Sequence, residues 1–235
     1  MKERGMIFNA EMVRAILDGR KTQTRRIMKV QPSEGFTPMN MSLEPDYKAR
    51  WYTPGIVDKD GYLQPASKEV FGVSNENEGY SCPFGAVGDR IWVRETSGLQ
   101  VRRDALGGTG EFRVYRASNP DAIRFTTASG KDYPIKWTPS IHMPRWASRI
   151  TLEITDVRVE RLNDISEGGA TAEGVPPAGS LLPDYPGTFL TPKGDFATAK
   201  VAFQRLWESI YGEENWQDNP WVWVIEFKRV EGGAA

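Results

Sequence analysis

The sequence predicts an α+β fold, in which short strands form a small closed or half-closed β-barrel and two or three helices plug its ends. Several short segments alternate apolar and polar residues, which is the period of a strand, and others repeat apolar residues at helical spacing. The predicted strands are not consecutive, because long irregular stretches separate them. Among the 235 residues, 23 are glycine and 16 are proline, so much of the chain is expected to lie in loops.

The first predicted elements lead into a basic segment. Residues 6–8 predict a short strand, and apolar residues spaced at i and i+4 predict a helix over residues 9–18. Asn9 is suited to the N-cap of this helix, and Gly19 is suited to the position after its last turn. The segment Gly19–Arg26 therefore begins in a turn and continues as a strand. It carries four basic side chains and two threonines, which are Arg20, Lys21, Thr22, Thr24, Arg25 and Arg26. Clustered cations of this kind attract a phosphate or another anion.

The later elements are predicted from the same two patterns, namely strand alternation and the helical spacing of apolar residues. Alternation predicts four further strands, at residues 88–95, 111–117, 150–162 and 220–229. Two further helices are predicted at residues 164–173, where acidic residues occupy the first turn, and at residues 196–211. The predicted buried face of the last helix consists of Val201, Phe203, Leu206, Trp207 and Ile210.

The chain is interpreted as a single domain of residues 1–235 with three insertions, at about 32–83, 97–144 and 175–195. These stretches are rich in Gly, Pro and polar residues and lack a sustained period. The first contains one predicted hairpin, whose turn is Asp58-Lys59-Asp60-Gly61. Loops of this length are usually functional or disordered.

Composition excludes several classes of protein. The 30 basic and 31 acidic residues give a formal net charge of −1, which argues against coating of long duplex DNA by bulk charge but allows a local basic pocket. The single cysteine, Cys82, excludes an internal disulfide and a cysteine-based zinc site, and His142 is the only histidine. We therefore expect no metal and no cofactor. The lack of a long apolar run leads us to expect a cytoplasmic protein without a membrane partner.

Four segments resemble, in the same order, the motifs of the ASCH domain, a relative of the PUA domain. They are Gly19–Arg26, Gly88-Asp89 with the strand that follows, Ile165–Glu173 and Val224–Lys228. The small members compared are the bacterial N4-acetylcytidine amidohydrolases. The longer form, with the run Ser140–Arg149, is similar to ASCH proteins often found in phages and prophages. The resemblance implies a small PUA-like β-barrel with flanking helices, and a cleft beside the first helix.

The resemblance also implies a catalytic set. The motif lysine falls on Lys21, the second motif threonine on Thr24 and the glutamate of the acidic helix on Glu173. The implied reaction is hydrolysis of an N4-acylated or otherwise modified cytosine nucleoside or nucleotide. Thr24 would act as nucleophile or position a water molecule, Lys21 would act electrostatically or as acid or base, and Glu173 would orient groups or transfer protons. Lys21 and Thr24 would face opposite ways on a regular strand, but a turn or bulge would let them converge.

Five further residues are candidates for substrate binding, namely Arg20, Arg26, Trp92, Arg145 and Arg149. The expected partner is a nucleoside, a nucleotide or single-stranded RNA in a basic cleft. Trp92 either stacks on a base or belongs to the core. Arg145 and Arg149 either form a rim that follows a phosphate or simply flank the entry to a strand.

The three insertions, which the small amidohydrolases lack, keep two other functions open. One is an RNA-binding or modified-base-binding ASCH module, including a ribonuclease-like one. The other is a phage-encoded protein-interaction module in which the cleft is vestigial.

Overall fold

The computed structural model describes residues 1–103 and 108–230. These residues form a mixed α+β protein in which strands outnumber helices, which confirms the predicted class. The described residues divide into two compact units. The first unit contains residues 1–2, 20–89 and 154–228, and the second contains residues 3–19, 90–153 and 229–230. The interpretation as a single domain stays a prediction.

The elements are numbered in chain order. The strands are β1 (Glu3–Ile7), β2 (Gln23–Ile27), β3 (Arg50–Tyr52), β4 (Gly55–Val57), β5 (Leu63–Pro65), β6 (Val70–Ser74), β7 (Gly79–Ser81), β8 (Arg90–Arg94), β9 (Ser97–Arg103), β10 (Thr109–Tyr115), β11 (Ile123–Thr126), β12 (Asp132–Pro134), β13 (Thr151–Arg161), β14 (Phe189–Leu190), β15 (Phe196–Ala197) and β16 (Trp221–Val230). The α-helices are α1 (Ala10–Leu17), α2 (Glu167–Ala172), α3 (Ala199–Tyr211) and α4 (Glu213–Gln217).

The second unit begins with a strand, a helix and a parallel strand. Strand β1 pairs in parallel with β8, and α1 follows β1 directly. The side chain of Asn9 accepts a hydrogen bond from the backbone N–H of Met12 at 2.8 Å, so the predicted N-cap of α1 is confirmed. Gly19 has a φ of 75°, a conformation that favours glycine, so the predicted end of the helix is also confirmed.

The rest of the second unit is antiparallel. The first three residues of β13 pair with β8, β9 pairs with β10, and β11 pairs with β12. The predicted insertion at 97–144 therefore contains two hairpins. Apolar residues that alternate along β8 and at the start of β13 are buried, as the strand period predicts; they are Ile91, Val93 and Leu152.

The first unit is built around β16. Strand β2 pairs antiparallel with it, so that Thr24 lies opposite Ile225, and the remainder of β13 is its neighbour on the other side. Helices α2 and α3 pack on each other, and their apolar faces share one core cluster with β16. The buried members of this cluster are Leu162, Ile165, Ala170, Val175, Ala199, Ala202, Phe203, Trp207, Trp216, Val222 and Val224.

Two helices start later than predicted. The side chain of Ser166 accepts a hydrogen bond from the N–H of Gly169 at 3.0 Å, which fixes the start of α2 at Glu167 rather than at residue 164. Residues 196–197 pair with β14 as strand β15, so α3 starts at Ala199 rather than at residue 196.

The strand pairings of the described residues do not form a closed barrel. The PUA-like barrel therefore stays a prediction. Among the described helices, none is both long enough and apolar enough to cross a membrane.

The insertion at 32–83 contains a three-stranded sheet, ordered β3-β6-β7, and the hairpin β4–β5. The backbone N–H of Asp58 donates to the carbonyl oxygen of Tyr62 at 2.9 Å, and that of Gly61 donates to Asp58 at 3.1 Å. The turn predicted at residues 58–61 is thus confirmed. In the larger sheet, a Cβ atom added at Gly72 would lie 1.9 Å from the carbonyl oxygen of Tyr80.

We expect Gly72→Ala to separate β6 from β7, since a backbone atom is the obstacle. The free energy of unfolding should fall by about 2 kcal/mol, which lowers the midpoint of thermal unfolding by about 4–8 °C in a protein of this size. The control is Gly168→Ala in α2, where the nearest atom to the added Cβ is the Ser166 hydroxyl oxygen at 3.9 Å. Alanine favours helix, so this variant should melt at or above the wild-type midpoint. Equal midpoints for Gly72→Ala and the wild type would contradict the close approach.

Candidate functional site

The residues predicted to be catalytic include one close pair, Lys21 and Glu173. Lys21 lies in the link between α1 and β2, and Glu173 is the C-cap residue of α2. The Lys21 ammonium donates to the Glu173 carboxylate oxygen Oε2 at 2.7 Å and to the Glu173 backbone carbonyl at 2.8 Å. The two side chains are 0% and 4% exposed. The contact thus joins, in the interior of the first unit, two residues that are 152 positions apart.

The pair is held together by contacts of the basic segment with the C-terminal half of α2 and with β16. The N–H of Thr22 donates to the carbonyl of Ala172 at 2.9 Å, and the carbonyl of Thr22 accepts from the N–H of Phe227 at 2.8 Å. One turn earlier on α2, the amide of Gln23 donates to the carbonyl of Gly169 at 2.8 Å. Uncharged hydrogen bonds alone therefore attach the basic segment to β16 and to the C-terminal half of α2.

Arg25 connects Glu173 to a second carboxylate. Its Nη1 donates to Oε1 of Glu173 at 3.1 Å, and its Nη2 donates to Oε2 of Glu160 on β13 at 2.6 Å. Its guanidinium carbon lies 5.9 Å from the centre of the Phe203 ring, which is within the range of a cation–π contact. A Cβ atom at Gly169 would be 3.3 Å from Nη2 of Arg25, so glycine provides the space that the guanidinium occupies.

The ion pairs continue beyond Arg25. Nε of Arg158 donates to Oε1 of Glu160 at 2.6 Å, and its Nη1 donates to Oε1 of Glu226 at 2.5 Å. We call the resulting set the ion-pair network; in order of contact, its members are Lys21, Glu173, Arg25, Glu160, Arg158 and Glu226. In this set three cations alternate with three carboxylates, and Arg158 also lies 3.5 Å from Asp156, which pairs with Lys48 at 3.7 Å. Such pairing is what allows charged groups to be removed from water.

Burial and neighbouring charges shift the pKa values of Lys21 and Glu160. Burial lowers the pKa of the Lys21 ammonium; contact with Glu173 opposes the shift, and the charges of Arg26 and Arg25 add to it. Burial by itself would raise the pKa of Glu160, but Arg25 and Arg158 outweigh it and lower that pKa overall. Lys21 is therefore a stronger acid than an exposed lysine, while Glu160 is held as a carboxylate.

Thr24 is buried on β2 and belongs to a different face of that strand. Successive side chains of a strand point to opposite faces, and Gln23 and Arg25 both point towards α2 or its end. Within the described residues, no hydrogen bond joins Thr24 to Lys21 or to Glu173. The structure brings Lys21 and Glu173 together, and it is Arg25 that contacts Glu173 from β2.

Two residues predicted to bind substrate lie in the first unit with this pair. Arg20 donates from Nη1 to the carbonyl of Gly174 at 2.9 Å, immediately after Glu173. Arg26 lies on β2 opposite Trp223 of β16. Its charge is one of those that lower the pKa of Lys21.

The other three residues predicted to bind substrate, Trp92, Arg145 and Arg149, lie in the second unit. Arg145 donates to Glu3 at 2.8 Å from Nε. Arg149 binds both carboxylate oxygens of Glu95, at 2.8 and 3.0 Å. Each arginine of the predicted rim thus has a carboxylate partner, which weakens its attraction for a phosphate. Trp92 is half-buried, and its ring lies 5.4 Å from the guanidinium carbon of Arg94.

Sequence reasoning missed the part of β13 that joins the ion-pair network. Arg158 and Glu160 alternate with the buried residues Val157 and Val159, so a polar face of opposite charges was visible in the sequence. Nothing in the sequence indicated that this face would meet Arg25. In the described part of the chain, no group of three or more His, Cys, Asp or Glu side chains is placed to hold a metal ion.

Comparison of this chain with protein-family models, with curated proteins and with solved structures gives no match. The likeness to the ASCH domain consequently depends on the four motif segments alone, and membership of that family stays a prediction.

Glu160→Gln should reveal the contribution of the ion-pair network to stability. The lowered pKa of Glu160 means that its stabilising effect is present above the ordinary carboxyl pKa of about 4.3 and is lost as the pH falls through the folded-state value. We expect the variant to lose about 2 kcal/mol of unfolding free energy at pH 7, and the difference from the wild type to shrink below about pH 4.

The measurement is urea unfolding of both proteins across that pH range. The matched control is Glu111→Gln, which removes an exposed pair with Arg124 at 3.3 Å. Its cost should stay below about 1 kcal/mol at every pH. A Glu160→Gln cost that does not change with pH would contradict the pKa shift.

Proposed function

We propose that the chain is an ASCH-type amidohydrolase with a PUA-like fold, and that Lys21 and Glu173 form its catalytic pair. The proposed substrate is a nucleoside or nucleotide whose cytosine carries an acyl group on the exocyclic nitrogen. The observation that supports this most is the 2.7 Å contact between the Lys21 ammonium and the Glu173 carboxylate. It joins two residues that the motif resemblance pairs and that no local pattern connects.

The bonding of Lys21 suits a proton donor. An ammonium group has three N–H donors, and two of them are used in the described contacts with Glu173. The third makes no described contact, and in this proposal it binds an oxygen or nitrogen atom of the substrate. The lowered pKa of Lys21 makes transfer of its proton easier than it would be from an exposed lysine.

The proposed reaction needs only water and the substrate. The oxygen of a water molecule attacks the acyl carbon, and Glu173 takes one proton from that water. The bond between the acyl carbon and the exocyclic nitrogen then breaks, with its electron pair going to nitrogen, and Lys21 supplies the proton that this nitrogen needs. The products are a carboxylic acid and cytosine with a free amino group. Transfer of the proton from Glu173 to Lys21 restores both residues.

Arg25, and not Thr24, has a supporting role in this proposal. Arg25 binds Oε1 of Glu173, so it fixes the carboxylate while Oε2 stays with Lys21. It is therefore a positioning residue. Thr24 lies on the other face of β2 and nothing in the described contacts provides a base for its hydroxyl, so the proposal gives it no step in the reaction.

The test is hydrolysis of N4-acetylcytidine, followed by chromatography of the cytidine released. We expect Lys21→Met and Glu173→Gln each to lower kcat by a factor of about 100 or more, the usual loss for an acid or base. Thr24→Val should retain more activity than either. Lys29→Met, which removes an exposed lysine just after β2, is the matched control and should keep full activity.

Folding of each variant is checked by its thermal unfolding, because removal of one partner of a buried ion pair is itself destabilising. Lys21→Arg serves as a second variant that keeps the charge; it should remain folded and still lose activity, since an arginine hardly releases its proton. Full activity in folded Lys21→Met, or no hydrolysis by the wild type, would reject the proposal.

Binding of single-stranded RNA is a second candidate function, favoured by one surface of the second unit. Arg113, Arg124 and Lys136 line a cavity of about 230 Å³. The neighbouring Trp146 is 76% exposed, and the guanidinium carbon of Arg113 lies 4.7 Å from its ring. Exposed aromatic rings beside cations are the groups that bind bases and phosphates of single strands.

Titration of a labelled RNA strand of about ten nucleotides tests this candidate. If three phosphates are neutralised, affinity should fall about 20-fold between about 50 and 200 mM salt. Trp146→Ala should weaken binding about tenfold, whereas Trp51→Ala, which removes another exposed tryptophan, should not. Salt-independent binding, or equal effects of the two substitutions, would exclude it.

A further inference from the structure

The second unit contains a cavity of about 620 Å³ that the proposed reaction does not use. It lies where β1 and β8 end. These two strands are parallel, so their carboxyl ends are on the same edge, and the N–H of Phe8 donates to the carbonyl of Arg94 at 3.2 Å there. Helix α1 begins at this edge, and its first turn lines the cavity. The carboxyl edge of parallel strands is a common position for a ligand site.

Glu95 is the buried polar group of this cavity. It is only 2% exposed, and it lines the cavity directly after β8. Arg149 donates one hydrogen bond to each of its carboxylate oxygens. Because a carboxylate oxygen can accept two hydrogen bonds, each oxygen keeps one acceptor position. In the interior of the cavity, the Glu95 carboxylate can thus accept hydrogen bonds from a ligand group that has N–H donors.

Two arginines line the exposed part of the same cavity. Arg14 on α1 and Arg116 after β10 both have exposed side chains. Nη1 of Arg14 donates to the carbonyl of Ala117 at 3.1 Å, which places its guanidinium beside the residue that follows Arg116. Guanidinium groups bind phosphate through paired N–H donors. Glu11, in the first turn of α1, is the other carboxylate of the lining.

We propose that this cavity binds a small phosphate ester that carries an amino or other N–H donor group. The donor group contacts Glu95 in the interior, and the phosphate contacts Arg14 and Arg116 at the exposed part. The volume is in the range of pockets that hold one small molecule, and it suits a nucleoside monophosphate or an amino-sugar phosphate. Every residue of this site belongs to the second unit, so the proposal does not depend on the Lys21–Glu173 pair.

Isothermal titration calorimetry of the full chain tests the proposal, with four probes that separate its parts. Cytidine 5′-monophosphate and glucosamine 6-phosphate each have both groups, cytidine lacks the phosphate, and inorganic phosphate lacks the donor group. We expect at least one of the two esters to bind with a Kd below about 1 mM. Cytidine and inorganic phosphate should each bind at least about tenfold more weakly than that ester.

Arg116→Met is the informative variant, because the side chain is exposed and its replacement leaves the packing intact. It should weaken binding of the ester about tenfold or more and leave the weak binding of cytidine unchanged. Arg102→Met is the matched control: it removes an exposed arginine of the same unit that does not line the cavity, and it should bind as the wild type does. The proposal is rejected by either of two results. One is that neither ester binds at about 1 mM. The other is that Arg116→Met and Arg102→Met bind equally.

Discussion

The first unit depends on one requirement, which is that the carboxylate of Glu173 has to neutralise two buried cations. Lys21 binds one of its oxygens and Arg25 binds the other. An uncompensated charge in the interior would cost several kcal/mol. The end of α2 must therefore lie against the start of β2, and this explains why the backbone contacts of Thr22 and the side-chain amide of Gln23 converge on the same short helix.

The same requirement accounts for features outside the pair. The Nη2 atom of Arg25, which binds Glu160, has room because Gly169 has no side chain: an added Cβ would lie 3.3 Å from it. Glu160 comes from β13, and β16 lies between that strand and β2. Phe203 packs under the guanidinium as part of the core cluster, so apolar packing and ion pairing position the same side chain. For the buried members Lys21, Glu173 and Arg25, a low-dielectric surrounding strengthens each hydrogen bond and makes each residue costly to remove.

The local elements were predictable from sequence because their signals are local. Helix α1 begins at the side-chain cap of Asn9 and ends at Gly19, whose φ angle favours glycine. Alternation within the strands predicted at residues 88–95 and 150–162 places Ile91, Val93 and Leu152 on faces that are buried. The contact of Arg25 with Glu160 was not predictable, because it depends on which strands become neighbours of β16. Ile210 was wrongly assigned to the buried face of α3: it is 44% exposed, since it lies in the last turn, beyond Phe203 and Trp207, which carry the packing. The pairing of Lys21 with Glu173 came from the motif resemblance rather than from any period.

Charge balance connects the ion-pair network to the proposed chemistry. Lys21, Glu173 and Arg25 are buried, so a net gain or loss of one proton by the Lys21–Glu173 pair would leave an unpaired charge in the interior. In the proposed reaction Glu173 receives a proton from water while Lys21 gives one to the leaving nitrogen, so the sum of the charges does not change. The two transfers are favourable together and costly separately. In this proposal the buried Lys21 and Glu173, which are in direct contact, exchange protons while the total charge of the pair stays the same.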